Sequence, residues 1–221
     1  MNFIPADESR FFIWFFNRYT RWSLKRRFKQ LWIKQEYHPN ADSRTVYFLN
    51  HNLWWDGLIP LYLNENIFHQ KARALMEDKQ MQQYTFFSKI GAFSINLEHP
   101  KASIQSLRYA VKSMERENSS LFIYPEGTIT PASNSAPDFK YGLAWLYSKT
   151  EQIDYVPVHI YTHFIRSSKP ELYISIGKSV DHDKTLSRNE LTKFFEADIH
   201  RLNSETRRVA GFSDEGFKPQ F

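Results

Sequence analysis

The chain has 221 residues, 42% of them hydrophobic, 17% aromatic and 24% charged, which describes one folded domain with a sizeable core and excludes a disordered chain. Cysteine is absent, so disulfides, thiolate nucleophiles and cysteine-ligated zinc are excluded, and a reducing cytosolic setting fits. The formal net charge is +5, but eight basic residues and no acidic one fall between Arg10 and Lys34, so the remainder is slightly acidic.

The first element expected is a helix capped by Asp7 or Ser9 and running to about Lys34. Its apolar run Phe11–Phe16 is far too short for a bilayer, which needs about 20 apolar residues. Nor does it read as a signal peptide, because the charges follow the apolar run and no small-residue cleavage site appears. The expectation is an amphipathic arm with aromatic residues on one side and Arg/Lys on the other. It would lie in a membrane interface through Trp14, Phe15, Arg18, Arg21, Trp22, Lys25 and Arg26. Each basic residue near an anionic lipid surface contributes about 1 kcal/mol. The protein would then be peripheral, at the cytoplasmic face of a membrane. The competing reading is a helix docked on the protein's own core with a solvated basic face. Nucleic acid is not indicated as a partner, because no groove-reading motif or RNP-like sheet signature accompanies the arm.

Strands are expected at Thr45–Leu49, Phe93–Leu97, Ser120–Tyr124, Tyr155–Ile160 and Glu171–Ile176. Helical spacing of Ile104, Leu107, Ala110, Val111 and Met114 predicts a helix over 102–116, and another covers Gly142–Lys149. A last helix spans about 186–208, with Leu191, Phe194, Phe195, Ile199 and Leu202 inward. With no repeat or linker, this is a single domain with a core at about 40–180. The alternation gives an α/β fold with a mostly parallel central sheet flanked by helices, in which ligands gather at the carboxyl ends of strands.

His51 and Asp56 follow the strand at 45–49, and Tyr124-Pro125-Glu126-Gly127-Thr128 follows the strand at 120–124. Both groups therefore fall on one edge of the sheet. A histidine with a carboxylate partner can act as a base whose tautomer is fixed by that partner. The structural alternatives are a lone core histidine and an ordinary strand-ending turn with glycine at positive φ. Zinc ligation is disfavoured, since His69, His99, His159 and His163 show no ligand spacing with His51. A serine hydrolase would need a Gly-x-Ser-x-Gly elbow, which is missing. His51 is better read as a base acting directly on a substrate hydroxyl.

In order, the H-x4-D pair, Gly91-Ala92-Phe93-Ser94-Ile95, Tyr124-Pro125-Glu126-Gly127-Thr128, Phe139-Lys140-Tyr141-Gly142 and Val156-Pro157-Val158 resemble the glycerolipid acyltransferase family, which includes the 1-acylglycerol-3-phosphate acyltransferases. The resemblance covers about 40–180, and its first and third blocks carry most of the specificity. It implies that His51 deprotonates an acceptor hydroxyl while Asp56 orients it, and that the hydroxyl attacks an acyl-CoA or acyl-carrier-protein thioester without an acyl-enzyme. It further implies acceptor binding by Glu126, Gly127, Thr128 and Lys140, and a pocket shaped by Gly91, Phe93, Val156 and Pro157. No metal or cofactor is implied beyond the thioester co-substrate. A non-catalytic membrane-binding module on the same fold is the alternative.

Two departures stand out. The family's second and third blocks carry arginines associated with an acceptor phosphate, and here those positions are Leu97 and Ile129, neither able to form a bidentate clamp. Lys140, Lys89, Lys101 or Arg73 could replace them, the acceptor could lack a phosphomonoester, or the fold could be kept with catalysis impaired. Because His51, Asp56 and Glu126 are all present, a changed acceptor such as a glycolipid, a glycosylated terpenoid or a lyso-aminolipid is the favoured expectation.

Overall fold

The computed structural model describes residues 3–130 and 137–221, without the side chains of Pro100 and Lys101. Helix α1 (Arg10–Arg27) leads into strands β1 (Gln30–Gln35) and β2 (Arg44–Leu49). A 3-10 turn (Trp54–Gly57), helix α2 (Ile59–Leu63) and a π turn (Asn64–Phe68) precede β3 (Lys71–Glu77), α3 (Asp78–Gln83), α4 (Phe86–Lys89) and β4 (Ala92–Ile95). Then come α5 (Pro100–Ser113), β5 (Ser119–Ile123), α6 (Gly142–Lys149), β6 (Asp154–His163), β7 (Glu171–Ile176), α7 (Arg188–Val209) and β8 (Lys218–Pro219).

The strands form a single sheet in the order β4-β3-β5-β2-β6-β7-β1-β8. Only β6/β7 and β1/β8 run antiparallel; the other neighbours are parallel. Central strands covered on both faces read as continuous apolar runs, which is why β2 and β5 were legible in the sequence. The pleat then divides each run between two cores. Val46, Phe48, Leu121 and Ile123 face α5, α6 and α7, where they meet Leu107, Leu143 and Phe195. Tyr47, Leu49 and Phe122 face the other way, onto Leu24 of α1 and Ile59 and Leu63 of α2. Each such side chain, once buried, contributes about 1.5–3 kcal/mol, so the sheet is held from both sides. At the start of α7, the Ser187 hydroxyl accepts from the Glu190 N–H, and the Glu190 carboxylate accepts from the Ser187 N–H, closing the first turn.

Several expectations are corrected. The first helix stops at Arg27, and Gln30–Gln35 is a strand. Lys25, Arg26 and Arg27 occupy the last turn, where cations suit the negative helix end. Beyond it the burial period changes to two, with Leu31 and Ile33 inward. Strand β3 was not expected, since Lys, Ala, Arg, Leu, Met and Glu are all good helix formers. Pairing with β4 and β5 overrides that propensity. The helix after β4 ends at Ser113 rather than 116. Phe194 is exposed instead of inward, and its ring stacks on His182.

Helix α1 also differs from the expected division into an aromatic and a basic side. Thr20, Ser23 and Leu24 face the protein, and Phe16 stacks on Phe86 of α4 at 4.2 Å. Phe11, Trp14, Phe15 and Trp22 are all exposed, on the same outward face as the exposed Arg18, Arg21, Lys25 and Arg26. Arg18 lies over the Trp14 ring and Arg26 over the Trp22 ring. The segment before α1 is fastened to the sheet edge: Ile4 and Ser94 exchange hydrogen bonds, and Glu8 pairs with Arg73 at 2.8 Å.

Candidate active site

Strands β2 and β5 are parallel neighbours with Phe48 opposite Ile123. His51, two residues past β2, and Glu126, three past β5, are therefore delivered to the same place at the carboxyl edge of the sheet. The loop after β2 is tied down before it reaches His51. The Asn50 side chain accepts from the Ile160 N–H at 2.7 Å and donates to the Ile160 carbonyl at 2.9 Å. Asn52 adds a second donor to that carbonyl at 3.2 Å.

His51 Nδ1 lies 2.8 Å from Asp56 Oδ2, and the same oxygen accepts from the backbone N–H groups of Asn52 (2.8 Å) and Leu53 (2.9 Å). Asp56 is fully buried, and its other oxygen has no hydrogen-bond partner among the described residues. Burial raises the Asp56 carboxyl above the usual carboxylate range, against the pull of His51 and the two backbone donors. The Tyr124 ring packs 4.6 Å from the imidazole, and its hydroxyl donates to the Asp56 carbonyl at 2.6 Å. Burial puts that phenol well above its ordinary range, so it is a structural donor. With Nδ1 occupied by the carboxylate, Nε2 is the nitrogen left for a substrate proton.

A cavity of about 680 Å³ adjoins this pair and is lined by His51 and Asp56. Its apolar wall comes from Leu75, Ile95, Leu97, Leu107, Ile123 and Leu143, and it reaches Phe16 and Tyr19 of α1 together with Phe86, stacked on Phe16, and Tyr84. Gly127, Thr128 and Lys140 also line it. Lys140 is the one Lys or Arg among the described lining residues. Its stem packs on Gly127, where φ is +70° and an added Cβ would sit 2.9 Å from Nζ.

The expected pocket residues Gly91, Phe93, Val156 and Pro157 do not line the cavity. Gly91 has φ +97°, and a Cβ there would lie 2.7 Å from the Ala72 carbonyl, so it serves strand approach. Phe93 is core, packed on Tyr109. Val156 and Pro157 sit on β6 opposite Tyr47 and Phe48, across β2 from the cavity. The actual lining includes the ends of β3 and β4, and without β3 in the predicted elements nothing in the sequence could assign Leu75, Met76 or Glu77 to the site.

Glu126 is placed differently from Thr128 and Lys140. It is buried and does not line the cavity. One carboxylate oxygen accepts from the His51 backbone N–H at 3.1 Å, and the other accepts from the Thr130 hydroxyl. Thr130 in turn donates its N–H to the His51 carbonyl at 2.8 Å. Turning Glu126 toward a substrate would leave the half-buried His51 N–H without its acceptor, at a cost of about 1 kcal/mol.

Of the other cations considered for the lost arginines, Lys89 pairs with Asp7. Arg73 binds Glu8 and Ser113 and faces a separate cavity of about 230 Å³. The side chain of Lys101 lies outside the described residues. Among the described residues no group of three or more His, Asp or Glu is gathered to hold a metal ion, and no helix is long and apolar enough to cross a membrane.

A family model described as Acyltransferase matches residues 30–165, spanning both strand-end segments. No curated protein sequence matches the chain significantly. Among solved structures, the crystal structure of the 1-acyl-sn-glycerophosphate (LPA) acyltransferase PlsC from Thermotoga maritima is similar in fold. The TM-score is 0.63 at 17% identity, covering 87% of this chain and 79% of that one.

Proposed function

The chain belongs to the Acyltransferase family, and from that premise we propose that it is an O-acyltransferase moving a fatty acyl chain from an acyl-CoA or acyl-carrier-protein thioester to a lipid hydroxyl. The observation that carries this reading is the 2.8 Å contact between His51 Nδ1 and Asp56 at the wall of a largely apolar cavity. Nε2 takes the acceptor proton as the hydroxyl oxygen attacks the thioester carbonyl carbon. The tetrahedral adduct then collapses, the C–S bond breaks, and the thiolate leaves with the proton carried by the imidazolium. Asp56 fixes the tautomer and stabilises the imidazolium. Base catalysis of this kind contributes about 10²–10⁴-fold, and positioning in the cavity supplies the remainder.

The lipid acceptor is one without a phosphomonoester clamp. Leu97 and Ile129 both border the cavity where arginines would be needed, and Lys140 offers a point charge rather than a fork. The outward face of α1, with its interleaved Trp, Phe and Arg, rests at the cytoplasmic face of an anionic membrane. That helix also contributes Phe16 and Tyr19 to the cavity wall, so bound lipid and bound membrane share one side of the protein.

The test is a panel of hydroxyl-bearing lipids incubated with acyl-CoA and the purified protein, with thiol release and acylated lipid both measured. Glycolipid or lyso-aminolipid acceptors are expected to outperform lysophosphatidic acid by at least about tenfold in kcat/KM, the scale of one lost charged contact. A clear preference for lysophosphatidic acid would refute the acceptor reading. Vesicle binding with no thiol release for any acceptor would favour a non-catalytic module.

A further inference from the structure

We propose that Glu126 and Thr130 are positioning residues for His51 rather than acceptor ligands. Resting on the reading of His51 as base, the inference gives the third sequence block a different job from the one its resemblance implies. The parallel ladder between β2 and β5 has its last described pair at Phe48 and Ile123. Continued in step, it would bring His51 level with Glu126, but Pro125 and the positive φ of Gly127 turn the chain away. A backbone carbonyl no longer meets the His51 N–H, and the Glu126 carboxylate supplies the missing acceptor at 3.1 Å.

Thr130 completes the hold from the far side of the turn. Its hydroxyl donates to the second oxygen of Glu126, and its N–H donates to the His51 carbonyl at 2.8 Å. Both backbone polar groups of His51 are therefore bound by residues 126–130, while its ring is bound by Asp56. The imidazole has its ring plane set by one partner and its Cα set by another. Base catalysis depends on that placement, because a displacement of about 1 Å at a reacting group can cost about a hundredfold. Glu126 is buried, contributes nothing to the cavity wall, and has no cationic partner among the described residues. An acceptor in the cavity meets Gly127, Thr128 and Lys140 instead.

Hydrogen-bond shape is what such a role requires, and a glutamine can supply it. Its amide oxygen accepts from the His51 N–H and its amide nitrogen donates to Thr130, whose hydroxyl hydrogen can turn to the His51 carbonyl 3.3 Å away. The experiment measures kcat, acceptor KM and acceptor-independent thioester hydrolysis for Glu126→Gln, Glu126→Ala, Thr130→Ser, Thr130→Val and His51→Ala. For Glu126→Gln and Thr130→Ser, kcat is expected to stay within about threefold of the wild type. For Glu126→Ala and Thr130→Val, kcat should fall at least tenfold, acceptor KM should stay within about twofold, and hydrolysis should fall in parallel with transfer. Should Glu126→Ala not fold, the Gln, Ser and Val variants still decide. A tenfold rise in acceptor KM for Glu126→Gln with hydrolysis intact would overturn the proposal and restore acceptor binding. Full activity of His51→Ala would instead overturn the base assignment on which the proposal rests.

Discussion

Burial and hydrogen bonding act on Asp56 in opposite directions. One oxygen collects three donors, yet the other is buried with none among the described residues, and the net direction is upward. An acid whose folded pKa lies above its unfolded value adds stability at low pH and loses it as pH rises through the folded value. The ionised carboxylate at neutral pH is thus held at a cost to the fold. Asp56→Asn should therefore raise the melting temperature at pH 7.5, with the gain shrinking as pH falls through the raised folded pKa and gone below about pH 4, where the unfolded carboxyl also protonates. Activity should fall by about 10²–10⁴-fold, because the amide oxygen keeps the three donors but a neutral amide no longer stabilises the imidazolium that forms as Nε2 takes the acceptor proton. Melting curves at the two pH values check the stability half; a variant less stable at pH 7.5 than at pH 4 relative to wild type would contradict it. The His51–Asp56 contact was legible in the sequence because five residues of a single loop bring both ends together. The direction of the Glu126 carboxylate was not, since residue type does not say whether a side chain faces a cavity or its own neighbour's backbone.

At the scale of elements, legibility followed burial. Strand β7 and helix α6 have the limits that the sequence predicts, since a run of alternating faces or a compact apolar helix leaves little choice of period. Strands β1 and β3 were hidden for different reasons, one inside a basic aromatic stretch and the other behind helix-forming residues. Both omissions matter, because β3 ends at the cavity and a truncation that removed the whole basic arm, residues 1–34, would also cut away β1. That truncation would take out a strand paired with both β7 and β8. Substitutions on the outward face of α1 avoid the problem. Changing Arg18, Arg21, Lys25 and Arg26 to glutamine should weaken sedimentation with anionic vesicles at least about a hundredfold, given about 1 kcal/mol per basic residue. The circular dichroism spectrum should not change. Undiminished sedimentation would show that α1 is not the contact surface.

Across the whole molecule, the sheet order explains how distant segments share one site. The carboxyl ends of β2 and β5 bring His51, Asp56 and the 126–130 turn together, while β3 and β4 extend the cavity floor. Helix α1 lines one side with Phe16 and Tyr19 and carries its exposed aromatic and basic residues on the adjoining outward face. The pairing of β6 with β2 puts Val156 and Pro157 beside the strand that delivers His51, so a sequence block close in order to the site ends up outside the cavity. His51 as the base is tested most directly by steady-state thiol release from acyl-CoA with a lipid hydroxyl acceptor. Purified His51→Ala, with an unchanged melting profile, should lose at least about a hundredfold in kcat. Turnover equal to the wild type in a folded His51→Ala protein would contradict the account.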